Sequence, residues 1–105
     1  MERIERFEGH RDRSYYLDIF IPEVRLLRDR YVAVKLARKR KGVEIDDAFN
    51  EKFAEVEQVY DDVLGCETPE DFNAVNEHIK QLTAHIMPEI QQMVRESFKK
   101  AEGGK

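Results

Sequence analysis

The stretch HIMPEI (residues 85–90) sets a proline inside what otherwise reads as one long helix, and IFIPEV (residues 19–24) repeats the pattern near the other end of the chain. Proline has no N–H, and its ring crowds the carbonyl four residues back, so Pro88 frees the carbonyl of Ala84 and Pro22 that of Asp18. Glu89 and Glu23 each follow the proline as an acid follows a helix start, where the dipole favours negative charge. Both prolines are therefore expected to mark hinges at which helices leave a common body.

Working outward from these points, apolar residues recur at alternating intervals of three and four. From Pro22 to Lys41 the stripe is Val24, Leu27, Tyr31 and Val34, closed by the basic run at 38–41 and by Gly42, which suits a left-handed C′ position. A second helix opens at Asp46 or Asp47, carries Phe49, Phe53, Val56, Tyr60 and Val63, and ends at Gly65. A third starts with Thr68 as cap and Pro69 in the first turn, followed by Glu70 and Asp71. Its stripe is Phe72, Val75, Ile79, Leu82 and Ile86. Strand-type alternation is absent, so the fold class is all-α, and the short connections predict an up-down-up three-helix bundle.

The middle helix, 46–64, spans roughly 28 Å at ~1.5 Å per residue. Matched against it, the outer helices run past the common body at Pro22 and Pro88. One helical domain over 1–105 then divides into a helical N-terminal arm (1–21), a three-helix body (22–87), a helical C-terminal arm (88–101) and a frayed tail (102–105). The arms are still apolar, with Tyr16, Phe20 and Ile21 in one and Ile90, Met93 and Phe98 in the other. Burying such a side chain is worth about 1.5–3 kcal/mol, so the arms must be covered by folding back on the body of a single chain, by a second copy or by another protein. Two copies side by side could pair each N-terminal arm with the other's C-terminal arm, giving an intertwined homodimer with a four-helix-type core. The function expected from this is a non-catalytic helical protein–protein interaction module, with a helical protein as the other possible partner.

Charge and cysteine content bound the alternatives. Twenty-two acids against eighteen bases give a net charge of −4, which disfavours nucleic acid as partner. Residues 25–41 hold eight basic side chains and one acid, whereas residues 44–71 hold eleven acids and one lysine. As hairpin neighbours, these segments are expected to neutralise each other. The alternative use of the basic end is a phosphate-binding patch of Lys35, Arg38, Lys39, Arg40 and Lys41. A single cysteine, Cys66, excludes an internal disulfide and a thiolate cluster, and its place before a helix N-terminus is one that can lower a thiol pKa. No signal-peptide core or membrane-length apolar run is present, so a cytoplasmic protein with no membrane contact is expected.

Metal chemistry has one candidate set. His78, His85 and Glu89 flank the third stripe, and with Glu23 could form a zinc or di-iron site between helices. Against it, the chain has no Glu-x-x-His, and residues seven apart lie ~10 Å apart along a helix, too far for one ion. Glu44-x-x-Asp47 and Glu67-x-x-Glu70 have spacings suited to a magnesium site, but both stand at loop-to-helix junctions where acids serve as caps. No serine, histidine and acid pattern suggests a nucleophile. These patterns do not identify a cofactor.

Overall fold

Each apolar stripe becomes a helix. The computed structural model describes residues 2–103, with side chains described to Lys99. Helix α1 runs Arg13–Arg40, α2 Asp47–Leu64 and α3 Pro69–Gly103. The expected caps form at the second and third starts. Asp46 accepts from the Phe49 N–H at 2.9 Å, and Thr68 and Asp71 cap each other: Thr68 Oγ1 accepts from the Asp71 N–H at 3.2 Å, and the Asp71 carboxylate accepts from the Thr68 N–H at 3.1 Å. At the end of α1, Gly42 adopts φ +73°, and the N–H groups of Gly42 and Val43 donate to the carbonyls of Lys39 and Arg38 at 3.1 and 2.9 Å. That pair of bonds closes the helix with a left-handed residue that a side chain would strain.

Cross-helix contacts fix the direction of each helix. Phe20 stacks on Phe72 at 5.4 Å, the Tyr31 hydroxyl donates to the Leu82 carbonyl at 2.9 Å, and Arg38 bonds Glu89. The last two pairs are both 51 residues apart in the chain, so α1 and α3 run parallel and in step. Phe49 lies beside Tyr31, and Arg13 donates to the Leu64 carbonyl, so α2 runs antiparallel between them. The topology is up-down-up. Between the helices, Phe20, Val24, Leu27, Tyr31 and Val34 of α1 meet Phe49, Val56, Val59 and Val63 of α2 and Phe72, Leu82 and Ile86 of α3, all 3% exposed or less.

The prolines are not hinges. α1 passes through Pro22, and α3 through Pro88, without interruption. Either side of Pro22, Phe20 and Val24 occupy the same core line at 0% and 1% exposure, and that packing outweighs the lost backbone bond. Both prolines are themselves exposed, as are Asp18 and Ala84, whose carbonyls lose a donor.

The N-terminal arm is likewise part of the single-chain core. Helix α1 begins nine residues before Pro22, capped by Asp12, which accepts from the Tyr15 N–H at 3.0 Å. Tyr16 packs on Phe72 at 5.7 Å, and Arg13 reaches the carbonyls of Cys66 and Leu64 at 2.6 and 2.8 Å. Residues 2–7 then return over this end as an irregular strap with a bend at Arg6. Ile4, 6% exposed, is clasped by Asn73, whose side-chain amide accepts from the Ile4 N–H and donates to the Ile4 carbonyl, both at 2.7 Å. Phe7 stacks on Tyr16 at 5.7 Å and meets Phe72 edge-on at 6.1 Å. The cover expected from a second copy is supplied here in cis.

At the other end, α3 continues to Gly103, and the tail positions 104–105 lie outside the described residues. Ile90 and Met93 are partly buried against the core, whereas Val94 and Phe98 are 50% and 67% exposed.

Candidate interaction face

Two grooves flank α3, and their chemistry differs. The α2–α3 groove is lined by Asp61, Asp62, Asp71 and His78, with Cys66 at its end. His78 Nε2 lies 3.2 Å from Glu55 Oε1, and Lys52 Nζ lies 3.1 Å from the other oxygen of that carboxylate. Lys52 first, and then His78, hold Glu55 below the usual carboxylate range. Cys66 is 2% exposed, with its Sγ 3.2 Å from the Asp62 carbonyl. Burial pushes its thiol up to about 11, and the charges of Asp71 and Asp62 add to that, so the helix start nearby does not activate it.

The basic end of α1 is spoken for by α3 rather than by the acidic helix. Arg38 donates two bonds to Glu89, at 2.8 and 2.7 Å, and its guanidinium lies 4.7 Å from the Phe49 ring centroid. The hydrogen bonds raise Arg38 and hold Glu89 below the usual carboxylate range. Lys41 pairs with Glu96 at 2.7 Å, and Lys35 lies 5.5 Å from the Phe53 ring. Of the five residues expected to form a phosphate patch, Lys39 and Arg40 are exposed with neither arrangement. Higher up, Arg25 and Arg28 line one groove with Glu57 and Asp61.

The metal candidates are dispersed. His78 faces α2, Glu89 is held by Arg38, His85 is exposed, and Glu23 lines the α1–α3 groove on the far side of α3 from His78. Among the described residues, no group of three or more histidines, cysteines or acids is placed to hold a metal ion. Among them, too, no helix is long and apolar enough to cross a membrane.

The α1–α3 groove is the more apolar one. Leu26 and Arg30 on α1 face Lys80, Thr83 and Ala84 on α3. The seven-residue step that keeps a helix face in register carries this line on to Ala33, Met87 and Gln91, and then to Val94 and Phe98. Tyr15 and Leu36 belong to the neighbouring line of α1, on the outside of the same helix pair. Seven large apolar side chains are exposed among the described residues: Tyr15, Leu26 and Leu36 on α1, Val94 and Phe98 on distal α3, Val43 in the first connection and Leu64 at the end of α2. The outward side of α2 instead presents Asp47, Glu51, Glu57, Asp61 and Asp62.

Of the residues expected at an interface, Tyr16 and Phe20 are core residues, 7% and 0% exposed. Ile21, Ile90 and Met93 are partly buried against the core, leaving Phe98 open. Leu26 was legible as an apolar residue outside the core stripe, whereas nothing in the sequence distinguished Asn73 from a surface amide. No protein-family model, curated protein or solved structure matches this chain.

Proposed function

We propose that this chain is a non-catalytic helical interaction module that assembles with a second copy through the outer face of the α1–α3 pair. Five of the seven large apolar side chains exposed among the described residues lie on α1 and α3, away from the acidic outward side of α2, which supports it. Isolated surface apolars are ordinary, but five large ones on two parallel helices offer a surface on which a further helix can pack. The surface left to cover lies on α1 and distal α3, so the pairing is face to face rather than an exchange of arms.

Light scattering on the eluting protein tests this. At tens of micromolar (roughly, for an ordinary homodimer) the expected particle is two chains of 12.4 kDa each. Leu26→Glu and Phe98→Glu each return it to one chain with helicity unchanged. A wild-type protein that stays at one chain through the millimolar range overturns the proposal.

A further inference from the structure

The strap at residues 2–7 is seated as a ligand is seated. Its central residue is read through the backbone, since Asn73 bonds both the N–H and the carbonyl of Ile4 at 2.7 Å. A side-chain amide that pairs with one residue's N–H and carbonyl recognises backbone whatever its side chain, as an added strand does. Two apolar anchors then set the sequence: Ile4 is buried, and Phe7, three places on, packs against Tyr16 and Phe72. Beneath them lie core aromatics of α1 and α3 that are held in place without the strap, since Phe20 stacks on Phe72 at 5.4 Å and Tyr16 on Phe72 at 5.7 Å.

Little else ties the strap down. Arg3, Glu5, Arg6 and Glu8 are exposed, and the Arg6–Glu8 ion pair is internal to this stretch. An open groove lined by Arg3, Glu5, Tyr15 and Ile19 runs between the strap and α1. The strap joins α1 through a turn at residues 8–11, where Gly9 takes φ +55° and the Arg11 N–H donates to the Glu8 carbonyl at 2.8 Å. This turn is where the strap can swing away while α1, capped separately by Asp12, stays intact.

We infer that the N-terminal end of the α1–α3 groove is a peptide-binding site, occupied in this chain by its own residues 2–7. Its external ligand is a short segment with a branched aliphatic residue three places before an aromatic one, bent between the two as the strap is at Arg6. The tethered strap has a local concentration of roughly millimolar order, so an outside peptide binds only when the strap is displaced or outcompeted. The site does not depend on assembly through the α1–α3 face, and a single chain carries all of it.

The test uses the full chain with Ile4→Asp and Phe7→Asp, which releases the strap, and a fluorescent peptide of residues 1–10 as probe. Binding by anisotropy is expected to be at least about tenfold tighter to the released protein than to the wild type. It should be lost when the peptide carries the same two substitutions, and weakened about tenfold by Asn73→Ala in the released protein. A released protein that keeps its helicity but ignores the peptide overturns the inference, as does equal binding of the substituted peptide. So does loss of the fold on release, because the body must stand without the strap. Hydrogen exchange on the wild type gives an independent reading. The Ile4 amide should exchange at least about a hundredfold faster than the α1 and α3 core amides, and exchange with the slowest class overturns the proposal.

Discussion

Phe20 shows how a residue's role turns on what lies against it. As a residue before a proline hinge it belonged to an interface; against Phe72, at 0% exposure, it is core. Phe20→Ala is therefore expected to cost about 3–5 kcal/mol in chemical denaturation, with loss of helicity near the midpoint, whereas Phe98→Ala changes single-chain stability by about 0.5 kcal/mol or less. Tyr31 supplies a second residue-scale expectation. Desolvation first, and the charge of Glu55 second, push its hydroxyl from 10.0 to about 12. Because the folded value is the higher one, the stability tied to the neutral phenol is complete below pH 10 and is lost as pH rises towards 12. Alkaline unfolding followed by circular dichroism should show this loss, and Tyr31→Phe should remove that part of it. The phenylalanine variant leaves the Leu82 carbonyl without the hydroxyl's bond, a cost of about 1 kcal/mol at neutral pH.

At the scale of the elements, the three stripes, the Thr68 cap, the Asp46 cap and the Gly42 terminus were all readable, because each is set by neighbours within a turn or two. The helical character of the N-terminal arm is readable too, but a proline is a strong local breaker and signals a hinge at Pro22 that the continuous α1 does not have. What local rules omit is the gain from packing on both sides of the proline. If the helix is continuous, Pro22→Ala restores a backbone donor and should stabilise the protein by about 2 kcal/mol, the helix-interior penalty less the entropy proline removes from the unfolded chain. A neutral or destabilising result in thermal melts would instead favour a helix boundary at that point.

For the whole molecule, the up-down-up topology followed from loop lengths, whereas the covering of the arms did not. Loop length says which helices are adjacent; it does not say that residues 2–7 fold back, because that depends on a clasp between positions 69 residues apart in the chain. The molecule that results is 56 Å long and 16 Å in its thinnest dimension, with α3 as its longest helix at 35 residues. Such a flat body leaves a large share of its helix surface outside the core, and the face proposed for assembly lies there. If the second copy docks on it, the melting temperature should rise with protein concentration over a hundredfold range, on the order of several degrees, and Leu26→Glu should make the melt independent of concentration. A concentration-independent wild-type melt would speak against assembly.

The amino-acid sequence by itself determined the helical class, the number of stripes, the caps at Asp46 and Thr68 and the order of the elements, since all of these rest on periodicity and short-range hydrogen bonding. Only the tertiary structure decided that the prolines sit inside continuous helices and that Arg38 answers Glu89 rather than the acidic helix. It alone brought the N-terminal strap onto Asn73 and left Leu26, Val94 and Phe98 exposed. Each of these depends on which distant residues share a surface, a property of packing that no local pattern encodes.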